Sequence, residues 1–279
     1  MRIVVLGSSV YSETGCAVVA HLAEQGHAPV GALVLTTLNR GTLLRKLGQW
    51  GVREAARYAR TKLVARRGGK SAEVNNPYLR TMLSHENGFF RSLREVGSVY
   101  GFPIVTCRDQ NSPASISQLK QWAPDLIIFT GGNILRKQLL NVPRLGVLNI
   151  HLGLLPEIRG MSSPEWSLLN QVPVGITVHY MDAGIDTGPI LQRSELPDVN
   201  RSKSLSDLRH RLIAFGVEKA GEVVAGIAEG TIAAAPQAFV HSTTNHGSQF
   251  FVMHERLQAP AAERLANVHS MPSVTMVNG

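Results

Sequence analysis

Residues 1–36 read MRIVVLGSSVYSETGCAVVAHLAEQGHAPVGALVLT, and their pattern sets the class of fold. Residues 2–6, apolar from Ile3 to Leu6, are of strand length and stop at Gly7-Ser8-Ser9, a turn sequence. A helix is expected over about 14–25 and a second strand over 32–36. Working outward, strands are expected at 103–106 and 126–129, with a helix near 115–122 between them and a long helical region before them. Strands that alternate with helices argue for an α/β fold: an open, mostly parallel Rossmann-like sheet flanked by helices. Ligands of such sheets bind beyond the carboxyl ends of strands, which draws notice to 130–135 and 151–153. A GxGxxG pattern is absent, so Gly7-Ser8-Ser9 reads as a tight turn and not as a dinucleotide site.

Chemistry concentrates in residues 145–191, LGVLNIHLGLLPEIRGMSSPEWSLLNQVPVGITVHYMDAGIDTGPIL. Asn149-Ile150-His151 ends an apolar run, and in a strand alternate side chains share a face, so Asn149 and His151 are expected to point the same way. Asp186 stands between Gly184 and Gly188, in a stretch whose glycines let a loop approach a ligand closely. An amide N–H and a protonated imidazole can stabilise a developing oxyanion. A nearby carboxylate favours the imidazolium, so Asp186 is expected to raise the pKa of His151 and to relay a proton. Singly, each residue has a blander reading as a strand or turn residue.

Order and spacing change that weighting. Asn149-x-His151, then Leu155-Pro156, Arg159-Gly160, Pro164, Trp166, Gly175-x-Thr177-Val178-His179 and Asp186-Thr187-Gly188-Pro189-Ile190 together resemble the folate-dependent formyltransferase family. Asp125-Leu-Ile-Ile-Phe129 followed by Thr130-Gly-Gly-Asn-Ile-Leu135 is similar to that family's strand and pterin-contacting loop, and the resemblance covers roughly residues 1–196. Two departures bear on acceptor subtype: Leu152 stands where many members have Pro, and the stretch between Trp166 and Gly175 is about one residue short.

The resemblance implies a formyltransferase-like fold, with Asn149, His151 and Asp186 as catalytic residues. It places Asn133, Ile134, Leu135, Met181, Asp182, Ala183, Gly184 and Ile185 near the folate. Arg159 and Gly160 are expected at the acceptor, Arg159 serving equally well as a structural donor to carbonyls. The implied reaction moves a formyl group from 10-formyltetrahydrofolate, without a metal, to the amine of a small metabolite: an amino sugar, a nucleotide-linked amino sugar or a modified amino acid. A methionyl-tRNA formyltransferase-like enzyme and a formyltetrahydrofolate hydrolase are the alternatives within the family. A nucleic-acid-binding protein is the alternative outside it.

With 279 residues, 44% hydrophobic and 17% charged, the chain has the makeup of a globular protein. A cytoplasmic location is expected, since no export signal or run of about 20 apolar residues is evident. Cys16 and Cys107 read as packing residues, His179 as a core or loop histidine. The net charge of +8 is concentrated at residues 40–80, where eleven Lys or Arg face only Glu54 and Glu73. With Leu43, Leu44, Leu47, Trp50 and Tyr58 at helical spacings, this reads as a basic amphipathic helix: a solvated face first, a contact for a phosphate-bearing acceptor second. The expected organisation is a catalytic domain over 1–240, with a basic helical insertion at about 40–95, and a short extension over 241–279 that could mediate a homodimer or trail as a loose tail. Too few residues follow residue 240 for a tRNA-binding barrel, which argues against nucleic acid.

Overall fold

In the computed structural model the described residues are 1–36, 74–86, 88–237 and 248–268. The basic helix expected from residue 40 lies outside them as far as residue 73, and so do residues 241–247 and 269–279 of the expected C-terminal extension. The chain divides into two compact units, Met1–Asn149 with Val224–Glu229, and Ile150–Val223 with Gly230–Gly279.

The first unit opens with β1 (Ile3–Gly7), α1 (Glu13–Glu24) and β2 (Gly31–Leu35). Ser12 caps α1 by accepting from the Gly15 N–H at 3.1 Å. Residues 77–100 are not one long helix. Asn76 and Pro77 start a 3₁₀ turn, Pro77–Leu79, then comes the four-residue helix Arg80–Leu83, and Ser84 turns to extended backbone to pair Ser84–His85 with Gly88–Phe89. Helix α2 (Leu93–Tyr100) follows, capped by Ser92 and stopped at Gly101 with φ +76°. Then come β3 (Ile104–Cys107), α3 (Pro113–Trp122), β4 (Leu126–Phe129) and β5 (Gly146–His151).

Strand order in the seven-stranded sheet is β8-β7-β5-β4-β1-β2-β3, with β7 (Gly175–Tyr180) and β8 (Ile190–Glu195). Neighbouring strands from β5 to β3 pair in parallel; β7 and β8 pair antiparallel. Ile3, Val4, Val5, Leu6, Leu33, Leu126, Ile127 and Ile128 are fully buried, as expected of strands covered on both faces. At its entry the sheet is fixed by Asp125, whose carboxylate accepts from the Arg2 N–H and from Arg144 Nε, both at 2.7 Å. Those bonds hold the Asp125 carboxyl below its usual range, the Arg2 N–H contributing most. Cys16 is buried in α1, where burial pushes its thiol up to about 12, so it stays protonated and packs as a small apolar group.

At the other end of the strands, Phe129 pairs with Asn149, so the loop after β4 and the end of β5 leave the sheet side by side. Buried Gln110 fixes that loop. Its Nε2 donates to the Gly7 carbonyl at 3.2 Å, its Oε1 accepts from the Asn133 N–H at 2.9 Å, and its own N–H donates to Asn133 Oδ1 at 3.3 Å.

The second unit holds β6 (Ile158–Gly160), α4 (Ser163–Leu169), the β7–β8 pair, most of α5 (Leu205–Glu229), β9 (Ser248–Phe250) and α6 (Glu255–Val268). Helix α5 is capped at Ser204, whose hydroxyl accepts from the Asp207 N–H at 3.1 Å, and Gly230, with φ +74°, ends it. The part of the C-terminal stretch that is described is ordered against its own unit. β9 pairs in parallel with β6, and α6 packs on α4 through a buried stripe that includes Ala261 and Leu265. Among the described residues no helix is long and apolar enough to cross a membrane.

Gln110→Leu would leave the Gly7 carbonyl and the Asn133 N–H buried without their partner. We expect a loss of roughly 1–3 kcal/mol in urea denaturation, with faster amide exchange at Asn133 than at β4. Unchanged stability and exchange would show that the loop does not depend on Gln110.

Candidate functional site

His151 is the last residue of β5 and is buried, 6% exposed. Its Nε2 lies 2.8 Å from the Ile158 carbonyl, which can only accept, so Nε2 carries the proton. The Ser163 hydroxyl, itself donating to the Gly160 carbonyl at 3.1 Å, stands 3.4 Å from the same nitrogen. The tautomer of His151 is thereby set by its surroundings, and Nδ1 is left bare. That nitrogen faces Asp186 Oδ2 at 3.5 Å.

Asp186 has φ +54°, a conformation that costs a non-glycine residue energy and is kept only where the surroundings enforce it. Here they do. The Gly160 N–H donates to Asp186 Oδ2 at 2.8 Å, and Gln237 Nε2 donates to the carbonyls of Asp186 and Gly188 at 2.9 and 2.8 Å. The second carboxylate oxygen, Oδ1, faces His179 Nε2 at 3.6 Å. His179 is almost fully buried and repeats the logic of His151: its Nδ1 is 2.8 Å from the Tyr180 carbonyl, so that nitrogen carries the proton.

Two imidazoles therefore spend an N–H on backbone carbonyls and face one carboxylate from either side. Each ring thus turns its other nitrogen toward Asp186, at 3.5 Å from His151 and 3.6 Å from His179. Burial is the largest influence on His151 and lowers its pKa below 6.5, outweighing the upward pull of Asp186 and of the Ile158 hydrogen bond. Asp186 does pull it up, as expected, but an enclosed imidazole loses more from desolvation than the carboxylate returns. Asp186 is held below 3.8. Burial pushes its pKa up, but the His179 hydrogen bond, the charge of His151 and the Gly160 N–H together pull it further down.

The structure brings His151, Asp186 and Gly160 together and adds His179 and Ser163, which sequence reasoning left out. His179 had a usable signal, since it shares a strand face with Thr177 in Gly175–Tyr180. Ser163 had none. Gly160 was expected to touch the acceptor, and in the structure its amide holds Asp186; with φ +93° and the Phe250 carbonyl against it, a Cβ at this position would sit 2.2 Å from that oxygen. Arg159 is half-buried beside it. Asn149 is half-buried on β5, two residues before His151. Among the expected folate contacts, Asn133 is held by Gln110, Ile134 is 80% exposed and Leu135 is buried. In the other loop Met181 is half-buried, and Asp182, Ala183, Gly184 and Ile185 are exposed. Asp182 Oδ1 stiffens that loop by accepting from the Gly184 N–H at 2.9 Å and the Thr187 hydroxyl at 2.7 Å. Among the described residues no group of three or more His, Cys, Asp or Glu is placed to hold a metal ion.

Comparison with known proteins matches residues 1–224 to a family described as Formyl transferase. The methionyl-tRNA formyltransferase of Pelobacter propionicus is 33% identical over 147 residues, 52% of this chain and 46% of that protein. The chain thus spans about half the length of the curated relatives it matches. Among solved structures, glycinamide ribonucleotide transformylase 1 from Symbiobacterium toebii superposes with a TM-score of 0.52 at 20% identity, covering 82% of this chain and 88% of that one. The sugar 3N-formyl transferase WlaRD, solved in the presence of dTDP and 5-N-formyl-THF, gives 0.52 at 15% identity over 90% of this chain and 69% of its own. At such identities the two structures speak for the fold alone.

The lowered pKa of His151 fixes the sign of a pH effect. An unfolded chain takes up this proton near pH 6.5 and the folded one only at lower pH, so stability falls as pH drops through the window below 6.5. Asp186 acts in the same direction, but only as pH falls below 3.8. Urea midpoints measured from pH 8 to 5 should decline in the wild type and flatten in His151→Asn; parallel curves would refute a depressed His151.

Proposed function

The chain belongs to the formyl transferase family, and on that premise we propose that it transfers a formyl group from 10-formyltetrahydrofolate to the amine of a small metabolite. The observation that carries this reading is the cluster of His151, Asp186 and His179, at and after the end of the strand that bears Asn149.

In the proposed reaction the acceptor nitrogen attacks the formyl carbon, a new C–N bond forms, and the bond to N10 of the folate breaks. Charge gathers on the formyl oxygen, to which the Asn149 side-chain amide would donate. The amine must lose a proton once it has attacked. Asp186, ionised and facing His151 Nδ1 and His179 Nε2, would accept that proton and share it with His151 Nδ1, and the folate nitrogen takes up a proton as it leaves. This assigns His151 to the proton pathway. The oxyanion role expected for it fits less well, because Nε2–H is held by the Ile158 carbonyl and Nδ1 faces Asp186. The loops at residues 130–135 and 181–186 are the proposed folate contacts.

We propose an amino sugar, a nucleotide-linked amino sugar or a modified amino acid as acceptor. Arg159, one residue before the amide that holds Asp186, suits a phosphate-bearing acceptor.

Mass spectrometry after incubation with 10-formyltetrahydrofolate and pools of amino sugars, nucleotide-linked amino sugars, amino acids and Met-tRNA should show one formyl group added to a small amine. Formylated tRNA would name the other acceptor, and folate turnover without any formylated product would indicate a hydrolase. Removing an oxyanion donor typically costs about 10²- to 10³-fold in rate, so Asn149→Ala should lose that much turnover with its unfolding midpoint unchanged. Wild-type turnover in that variant would end the assignment of Asn149. For Asp186→Asn we expect loss of turnover together with a downward shift of the acid limb of the pH–rate profile, because the carboxylate's upward pull on His151 is gone. A slower enzyme with an unmoved profile would take Asp186 out of the proton pathway.

A further inference from the structure

Gln237 stands 51 residues after Asp186, yet it is tied to the centre of the cluster. A short antiparallel bridge sets its place: Ile190, the first residue of β8, and Ala235 exchange both backbone hydrogen bonds at 2.8 Å. Two residues further on, Gln237 is buried, and its Nε2 gathers the two carbonyls that flank Thr187, those of Asp186 and Gly188. Its Oε1 is buried without a hydrogen-bond partner, a cost that an apolar residue of the same size would not carry. Turning the amide over would set that oxygen against two carbonyl oxygens, so the orphan stays. A side chain kept for packing alone has no reason to bear that cost.

The turn held in this way is the strained one. Asp186, with φ +54°, keeps a conformation that a non-glycine residue adopts only under constraint. The Gly160 N–H holds its carboxylate, whereas Gln237 holds the backbone from which the carboxylate springs. The second carbonyl extends the hold toward His179. Gly188 lies so close to the Tyr180 carbonyl that a Cβ there would sit 1.9 Å from its oxygen, and that same oxygen is 2.8 Å from His179 Nδ1. We infer that Gln237 is a positioning residue for the reaction: by locking the turn at residues 186–188 it keeps the Asp186 carboxylate at the Gly160 amide and between His151 and His179, ready for the proton of the acceptor amine. Gln237 acts through Asp186 and takes no part in proton transfer itself. The inference rests on the role proposed for Asp186, and it extends the machinery of the site to the segment that follows α5.

Amide hydrogen exchange of the full chain reads the position of the carboxylate without reference to turnover. The Gly160 N–H is held by Asp186 and the next one, of Met161, by the Phe250 carbonyl, so the pair separates a displaced carboxylate from general loosening. Gln237→Met keeps the length of the side chain and removes the donor. It should quicken exchange about tenfold or more at Gly160, leave Met161 unchanged, and lower kcat about tenfold with KM for the amine unchanged. In Asp186→Ala, where Gly160 has already lost its acceptor, adding Gln237→Met should quicken Gly160 no further. Unchanged exchange at Gly160, equal quickening at Gly160 and Met161, or full turnover in Gln237→Met would each overturn the inference. Should Gln237→Met fail to fold, Gln237→Glu decides: its neutral carboxyl has one O–H to donate to these carbonyls and its ionised form none. Protection of Gly160 relative to the wild type should then rise as pH falls, and a deficit that does not change with pH would refute the role. A wild-type chain that forms no formylated product would instead defeat the proposed function, and exchange at Gly160 would still show whether Gln237 holds the carboxylate.

Discussion

One buried carboxylate between two imidazoles is the constraint around which the second unit is arranged. A negative charge cannot be enclosed cheaply, and Asp186 is enclosed by a backbone amide that donates to it and by a ring nitrogen of each of two histidines. Each of those features has its own support. The amide belongs to Gly160, whose strand β6 is held by β9; the rings are oriented by the carbonyls of Ile158 and Tyr180; the strained backbone of Asp186 is clamped by Gln237. A local defect in any of these would reach the carboxylate through one hydrogen bond.

This dependence gives the C-terminal part of the chain a purpose that its composition does not suggest. β9 does not extend the main sheet; it pairs with the three residues that carry the Gly160 amide, and the Met161 N–H bonds to the Phe250 carbonyl at 2.9 Å. Trp166 stacks on Phe250, and its indole N–H donates to the Phe251 carbonyl at 3.0 Å. Residues far along the chain thus steady the loop whose Gly160 amide holds Asp186. The energetic logic is that of a preorganised site: groups are fixed before reaction, so none has to be reoriented as charge develops.

The first unit solves a different problem, that of presenting a loop at the end of a parallel sheet. Strands β4 and β5 are in register at Phe129 and Asn149, and Gln110 ties residues 131–133 to the end of β1. A parallel sheet leaves its strand ends in one row, which is why loops from separate strands can serve a common ligand.

The strands and most helices were legible because their signals are local. Residues 126–129 are apolar throughout, Ser12, Ser112 and Ser204 mark helix starts, and Gly101 and Gly230 mark ends, so chain order alone determined the α/β class. Asn149, His151 and Asp186 could also be named, since motif spacing survives in sequence. The expected long helix before β3 failed where Pro77 and extended Ser84 interrupt it, a breaking signal that overall composition hides. What only the tertiary structure decided is which nitrogen of each histidine is free, which way burial moves His151, that His179 shares the carboxylate and that Gly160 anchors it. Those properties arise from contacts between residues far apart in sequence and from the loss of water around them, and neither leaves a periodic trace in the chain.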